Sequence, residues 1–212
     1  MKLIKGDRMK TKELDFLFKV NDLQKTKRYG NYPLFSESTA EHTFKLILIV
    51  DYFYKELNLD LDYQKCISLS IYHDFGEMDL EKDVDIKENT VKKINIRKEN
   101  YEIEKIKELS NTYYSSISTY YKEYKEKATE ESRFVNACDK LEGMIHPLTI
   151  NAPIMNHEIF ATYADKAIEE FPKLLPVYKE IKEVLKTQYE KWGFEWKSDY
   201  DSIFKHCNNK KD

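Results

Sequence analysis

Residues that interrupt helices are scarce in this sequence. It contains five glycines and five prolines among 212 residues, whereas Lys, Glu, Leu and Ile are abundant. Glycine and proline are the residues least compatible with a helix interior, and the abundant types are good helix formers. A chain of this length can also bury a sizeable core. The sequence therefore predicts a mostly helical protein, organised as a single domain over residues 1–212.

The charge and cysteine content restrict the class of protein. Charged residues make up 34% of the sequence, but they nearly balance and leave a net charge of −3. Proteins that bind nucleic acids or membrane surfaces usually carry a basic excess, so we expect neither partner. No apolar run is long enough to span a bilayer, and residues 1–12 lack the apolar stretch of a signal peptide. The three cysteines are odd in number and widely spaced, which favours free thiols. These features predict a cytoplasmic protein.

Apolar residues recur at helical spacing along most of the chain. The pattern predicts helices over residues 13–23, 38–57, 63–74, 101–109, 119–127, 129–145, 160–171 and 177–192. Residues 24–37, 78–100 and 110–118 lack the pattern and are predicted as loops, with a short helix near 91–96. Ser38 and Glu41 have the spacing of a capping box, which predicts a helix start at Ser38. We expect the core of the domain over roughly 14–145, with C-terminal helices over 157–196 packed on it.

Polar residues interrupt the apolar pattern at places where a charge would be buried. His73 and Asp74 stand side by side at the end of an apolar helical run, and Glu77 follows three residues later. His42 lies in the first turn of another helix, and Asp139 lies among apolar residues of a third. Burying a charge is costly unless it is paired or bound to a metal. Two imidazoles and two carboxylates suit a divalent ion such as Mn, Fe, Co, Ni or Zn.

Other polar residues have simpler explanations. Glu41 is accounted for by the capping box, which leaves it at most a supporting role beside the metal. Lys140 and Glu142 are interpreted as solvated side chains, although Lys140 has the length to reach a phosphate. The remaining histidines lack a comparable context and are interpreted as ordinary surface or loop residues: His146, His157 and His206.

The order of these residues resembles the H…HD…D pattern of the HD-domain metal-dependent phosphohydrolases. The neighbouring sequence motifs resemble one branch of this family in particular, the branch that contains the bacterial 5'-deoxynucleotidases. The motifs of that branch, in chain order, are R-x-G…E-x-V-x-E-H-S…H-D-x-x-E. The corresponding segments of this sequence are Arg28-Tyr29-Gly30, Ser38-Thr39-Ala40-Glu41-His42 and His73-Asp74-Phe75-Gly76-Glu77. Tyr101-Glu102-Ile103-Glu104-Lys105-Ile106 also resembles the helix that follows in that branch. The similarity spans roughly residues 14–145.

The resemblance implies an all-α fold around one metal site and a role for each matching residue. The implied ligands of one divalent ion, with Mg added to the candidate metals, are His42, His73, Asp74 and Asp139. Glu77 matches the acid that orients the attacking water, and Arg28 matches the arginine near the phosphate. A second family acid is best matched by Asp83, with Asp79 in reserve. Tyr29 stands where the bacterial branch often has a tryptophan that helps to exclude ribonucleotides.

The resemblance therefore implies hydrolysis of (deoxy)nucleoside 5'-monophosphates to nucleoside and phosphate. One alternative keeps the metal but acts on nucleoside triphosphates or pyrophosphates, with extra phosphates held by Lys87, Lys92, Lys93, Arg97 and Lys98. A second alternative is a non-catalytic helical module that binds a nucleotide or uses the metal as a structural clip. The expected partner is a small-molecule phosphate ester. The aromatic-rich C-terminal region allows either a homo-oligomer interface or additional core.

Overall fold

The computed structural model describes residues 11–28, 37–78, 91–150 and 157–208, without the side chains of 91–97 and 206–208. Numbered in chain order, the helices are α1 (Lys12–Val20), α2 (Thr39–Glu56), α3 (Tyr63–Tyr72), α4 (Val91–Thr112), α5 (Ser116–Glu126), α6 (Glu130–Thr149), α7 (His157–Ala161), α8 (Asp165–Glu170), α9 (Leu175–Trp192) and α10 (Ser202–Asn208). Short 3₁₀ turns lie at Asn21–Gln24, Phe75–Glu77, Pro172–Leu174 and Ser198–Asp201. The predicted all-α fold is confirmed.

The centre of the fold is helix α6, which α2, α3, α5, α8 and α9 contact. Its side chains are buried almost continuously from Phe134 to Met144. Leu46 of α2 and Leu69 of α3 are fully buried against it. A helix that is apolar on one stripe buries only that stripe, whereas α6 is surrounded and buries nearly its whole circumference. Polar residues on α6 consequently lie inside the molecule.

The C-terminal helices belong to the same hydrophobic core as α2, α3 and α6. Phe171, Tyr178 and Tyr189 are at most 2% exposed within it, and Trp192, Phe194 and Trp196 pack against its edge. Of the two roles expected for the aromatic residues of the C-terminal region, an oligomer interface or additional core, most of them therefore have the second.

Two short strands position the chain before α2. In the stretch predicted as a loop, β1 (Lys27–Arg28) pairs antiparallel with β2 (Glu37–Ser38), and Arg28 lies opposite Glu37. Two-residue strands are too short to show an alternating apolar pattern, so the sequence did not predict them. Ser38 then caps α2 as predicted: its hydroxyl accepts from the Glu41 amide, and the Glu41 carboxylate accepts from the Ser38 amide at 2.6 Å.

Helix α4 begins at Val91, where a short helix over 91–96 was expected, and continues unbroken to Thr112, so the prediction of a loop between that short helix and residue 101 was wrong. The helix packs on the 3₁₀ turn Phe75–Glu77, where Gly76 permits close approach: a Cβ on Gly76 would lie 3.0 Å from the Glu102 Cβ. Such packing stabilises a helix whose own sequence is strongly charged and shows weak apolar periodicity.

Several predicted boundaries also shift. Helix α3 ends at Tyr72, two residues early, with His73 as its C-cap. Helix α6 continues through Pro147 to Thr149, although the proline lacks the N–H that would donate to the preceding turn. Residues 160–171 were predicted as one helix but contain the end of α7, a turn and α8. Helix α9 starts at Leu175, since Pro176 fits the first turn of a helix.

None of the helices in the described part of the chain is both long enough and apolar enough to cross a membrane.

Candidate metal centre and active site

The four predicted ligand residues converge at the point where α2, α6 and the end of α3 meet. The His42 Nε2 atom lies 3.1 Å from the His73 Nε2 atom and 3.1 Å from Asp139 Oδ1. Asp74 Oδ2 lies 3.2 Å from His73 Nε2 and 3.7 Å from His42 Nε2. His42, His73 and Asp139 are at most 4% exposed. Residues as far as 97 positions apart in the chain thus present one nitrogen or oxygen each to a common point.

The local structure explains how adjacent residues reach the same point. Neighbouring residues within an α-helix point about 100° apart. Helix α3 ends before His73, and Asp74 leaves the helical conformation with φ −112° and ψ 15°. The 3₁₀ turn that follows then brings Glu77 back towards the same side, because its amide donates to the Asp74 carbonyl. The helix end is therefore what allows His73 and Asp74 to act together.

Each imidazole is oriented by a hydrogen bond at its other nitrogen. The Nδ1 atom of His42 lies 2.6 Å from Glu142 Oε2, and the Nδ1 atom of His73 lies 2.8 Å from the Ser70 carbonyl oxygen. Both partners are acceptors, so each Nδ1 carries the hydrogen and donates it. The Nε2 lone pairs are then directed at the common point. Histidine ligands of metals are usually held in this way.

Each of the two aspartate carboxylates is also held in place by hydrogen bonds that it accepts from neighbouring side chains. Asp139 Oδ2 accepts hydrogen bonds from the Tyr124 hydroxyl and from Lys140 Nζ, both at 2.7 Å, which leaves Oδ1 facing His42. Arg28 donates to Asp74 at 3.0 Å. Burial raises the pKa of both carboxyls, but Lys140 beside Asp139 and His73 beside Asp74 outweigh burial and keep both pKa values below the ordinary range. Both residues are therefore anionic at neutral pH.

The donor set fits a divalent ion. Ligand atoms about 2.1 Å from a metal lie roughly 3.0–3.4 Å from one another in octahedral or tetrahedral geometry, and the four separations given above run from 3.1 to 3.7 Å. Burial lowers the pKa of His42, yet hydrogen bonds to Asp139 and Glu142 raise it to about 9. The same carboxylates that favour a proton at this point favour a metal cation. Two imidazoles with two carboxylates suit Mn, Fe, Co, Ni or Zn better than Mg, which prefers oxygen ligands.

Glu77 lies beside this centre as a buried carboxylate. It is 6% exposed, accepts a hydrogen bond from the Thr39 hydroxyl at 3.2 Å and is paired with the Lys98 ammonium. Burial and the charge of Asp74 raise the pKa of Glu77, and Lys98 opposes the shift. A carboxylate with a raised pKa beside a metal centre has the properties of a general base.

A cavity of about 550 Å³ opens over the centre and is large enough for a nucleotide-sized ligand. Its lining combines the predicted residues with basic and aromatic side chains: Thr26, Lys27, Arg28, Asp74, Glu77, Lys98, Glu102, Tyr124, Lys125, Asp139, Lys140, Gly143, Phe160 and Tyr163. The structure thus brings together His42, His73, Asp74, Asp139, Glu77 and Arg28. Tyr29, Asp83 and its reserve Asp79 lie outside the described residues.

The interpretation of Glu142 as a solvated side chain was wrong. Glu142 is 3% exposed, bonds His42 and receives Lys45 Nζ at 2.5 Å on its other oxygen. Glu142 follows Asp139 by three residues on one helix, so both side chains lie on the same face. This spacing was the sequence feature that could have identified Glu142 as part of the site. Glu41, which the sequence assigned to the capping box with at most a supporting role beside the metal, forms that box and faces solvent. Lys140 contacts Asp139 and lines the cavity.

Glu142→Gln is expected to lower metal affinity about 10- to 100-fold, the usual cost of losing a residue that orients a metal ligand. The neutral amide no longer polarises the His42 ring, although it has nearly the same shape as the carboxylate. Competition with a chelating dye measures the affinity. Glu41→Gln is the matched control, since Glu41 is near His42 in sequence but bonds only the helix cap. Equal affinities for the two variants would contradict this role of Glu142.

Comparisons with known proteins agree with this geometry. The HD domain family matches the chain over residues 20–174. No curated protein matches the sequence. A conserved hypothetical protein from Pyrococcus furiosus has a similar fold, with a TM-score of 0.59 and 21% identity over 82% of this chain and 98% of its own. A predicted metal-dependent phosphohydrolase from Magnetospirillum magnetotacticum MS-1 has a TM-score of 0.61 and 16% identity over 85% of this chain and 90% of its own. Because the family match covers well over half of the chain, the protein belongs to the HD-domain family.

Proposed function

We propose that this protein is a metal-dependent phosphohydrolase that converts (deoxy)nucleoside 5'-monophosphates to nucleosides and inorganic phosphate. The observation that carries the proposal is that Asp74, Asp139, the buried carboxylate Glu77 and the cation Arg28 line one cavity, with His42 beside Asp139 and His73 beside Asp74. A structural metal site requires only ligands, whereas hydrolysis also requires a base and a group that binds phosphate oxygens. The family membership and the name of the Magnetospirillum neighbour agree with hydrolysis of a phosphate ester.

The residues that would hold the divalent ion are His42, His73, Asp74 and Asp139. When bound, such an ion supplies Lewis-acid polarisation of the phosphoryl group and makes water more acidic. Glu142 and the Ser70 carbonyl keep the two imidazoles in the tautomer that binds a cation. Tyr124 and Lys140 keep one oxygen of Asp139 turned towards the centre.

Glu77 is the base in the proposed reaction. Its carboxylate accepts a proton from the attacking water as the water oxygen bonds to phosphorus. The bond between phosphorus and the 5'-oxygen breaks, and the leaving oxygen takes up a proton to give the nucleoside hydroxyl. We assign that proton donation, or binding of the sugar hydroxyl, to Asp83. Thr39 and Lys98 fix the Glu77 carboxylate in place.

Arg28 is the proposed phosphate clamp. It is held between Asp74 and Glu37, with its Nε atom 3.5 Å from Glu37 Oε1, and its side chain is 20% exposed at the cavity wall. A guanidinium presents its N–H donors as a planar fork, a geometry that matches the non-bridging oxygens of a phosphate. Tyr29, the next residue, is proposed to contribute to sugar selectivity.

Most cations of the described cavity lining are already paired with acids. The lining contains five cations (Lys27, Arg28, Lys98, Lys125 and Lys140) and four acids (Asp74, Glu77, Glu102 and Asp139), a net charge of +1. Arg28 pairs with Asp74, Lys125 with Glu102 and Lys140 with Asp139, which leaves few cations for the additional phosphates of a triphosphate. Lys98, one of the residues assigned to extra phosphates in the alternative, is already paired with Glu77.

The proposal is tested by phosphate release from ribo- and deoxynucleoside mono-, di- and triphosphates. The protein is stripped of metal and refilled separately with Mn, Co, Mg or Zn. Phosphate release confined to monophosphates supports the proposal, and the ratio between ribo- and deoxynucleotides shows the sugar selectivity that we assign to Tyr29. Release of pyrophosphate or triphosphate would move the protein to the alternative hydrolase class. If metal-loaded protein releases no phosphate from any of these substrates, the result supports the alternative of a non-catalytic module.

A further inference from the structure

One wall of the cavity comes from a part of the chain that the metal and phosphate chemistry does not use. Phe160 of α7 and Tyr163 in the following turn line the same cavity as Arg28, Glu77 and Asp139. They lie outside the span over which the sequence motifs were recognised. We use the term aromatic wall for Phe160 and Tyr163.

Packing against the hydrophobic core and against helix α6 holds the aromatic wall in position. Phe160 packs against the hydrophobic core, and its ring plane lies within 16° of that of Tyr163 at a centroid distance of 6.4 Å. The Tyr163 ring rests on α6 at Gly143, where a Cβ would come within 3.3 Å of the ring. A larger side chain at this position of α6 would push the ring away. The absence of a side chain on Gly143 therefore helps to set the depth of the wall.

Lys140 connects the aromatic wall to the metal centre. Its Nζ atom lies 5.5 Å from the centroid of the Tyr163 ring and 2.7 Å from Asp139 Oδ2. The Tyr163 ring and the proposed metal ligand Asp139 therefore both contact Lys140. A phosphate bound beside Asp139 and Arg28 would have its ester substituent near this ring, since all of these groups line one cavity.

The wall also offers apolar surface that the protein itself leaves open. Tyr163 is 39% exposed and Phe160 is half-buried. The third aromatic residue of the lining, Tyr124, is buried and engaged by Asp139 and by the edge of the His73 ring. Open aromatic faces beside a phosphate site provide what a nucleobase requires, because every base has a π face and stacking does not depend on its hydrogen-bonding pattern.

We infer that Phe160 and Tyr163 form the nucleobase-binding wall, so that the substrate is a phosphate ester with a planar aromatic group rather than a simple sugar phosphate. This inference rests on the proposed function and adds the residues that select the leaving group. Because stacking is tolerant of base identity, the wall accepts purines and pyrimidines alike, and discrimination between bases requires other groups.

The test compares two substrates that share a phosphate and a ribose and differ in the base: a nucleoside 5'-monophosphate and ribose 5-phosphate. The variants are Phe160→Leu and Tyr163→Leu, which keep an apolar side chain but remove the ring. Each is expected to raise KM for the nucleotide roughly 5- to 150-fold, the range that loss of one stacked base contact produces. The kcat value and the turnover of ribose 5-phosphate should change little, because neither residue touches the reacting atoms in this proposal.

Two control variants separate stacking from general damage. Tyr163→Phe keeps the ring and should behave like the wild type. Tyr52→Leu removes an aromatic residue that is 58% exposed on α2 and outside the cavity lining, and it should have no effect. Free nucleoside should inhibit the wild type competitively, and it should inhibit Tyr163→Leu less.

The inference is overturned if the leucine variants lower activity on both substrates equally, or if they leave the KM for the nucleotide unchanged. Calorimetric binding of a nucleoside 5'-monophosphate to metal-loaded protein provides a readout that does not depend on turnover. If the wild type releases no phosphate from either substrate, the proposed function fails. The aromatic wall is then still supported by binding that weakens in Tyr163→Leu but not in Tyr163→Phe, and it is rejected if binding is equal in both.

Discussion

Glu77→Gln is expected to retain the metal and to lose about 10²- to 10⁴-fold in kcat, the contribution that a positioned general base usually makes. The amide has almost the same shape as the carboxylate, and its carbonyl can still accept from Thr39. It has no basic oxygen to take a proton from water. Metal content is measured by mass spectrometry and phosphate release by a continuous assay on the same preparation.

The control for Glu77→Gln is Glu104→Gln, an exposed residue of α4 whose carboxylate is 73% accessible and paired only with Lys107. It should keep full activity. Lys98 loses its main partner when Glu77 is neutralised, so Lys98→Met is a second comparison that removes the cation and leaves the base. Full activity in Glu77→Gln would exclude the proposed mechanism, whatever the metal content.

A second large effect is expected for Asp74→Ala, which should lose metal and activity together. Asp74 supplies a carboxylate oxygen within 3.7 Å of both imidazoles. Without it the centre retains three ligand residues and less negative charge, and Arg28 loses the anion that it donates to at 3.0 Å. We expect metal content near zero after dialysis and phosphate release below detection at any of the metals tested.

Asp74→Asn addresses the possibility that the alanine variant does not fold, because the amide keeps the size of the side chain. Asp51→Ala is the matched control, since Asp51 is a partly exposed acid on α2 that pairs with Lys55 away from the centre. An Asp74 variant that binds metal with wild-type affinity would remove this residue from the ligand set. Thermal unfolding with and without chelator distinguishes the alternatives further: a structural clip should unfold on metal removal, whereas an enzyme should stay folded and lose turnover.

The sequence was sufficient to predict features that depend on local chemistry. The capping box of Ser38 and Glu41 needs only the spacing of two side chains at a helix start, and it forms as predicted. The low content of glycine and proline and the helical periodicity predicted a mostly helical chain, and the family resemblance implied the all-α fold. His73 and Asp74 could be singled out together with Asp139, because a charged group within an apolar pattern must find a partner once that pattern is buried.

The tertiary structure decided features that depend on what packs against a residue. Glu142 carries the same carboxylate as any solvated glutamate, and only the burial of nearly the whole circumference of α6 turns it towards His42. The first half of α4 has weak periodicity and is held to the fold by Lys98, which pairs with Glu77. The aromatic wall comes from α7 and the turn after it, and no spacing along the chain relates it to residues more than a hundred positions earlier. Side chains distant in sequence share a cavity only because the helices that carry them pack around one core.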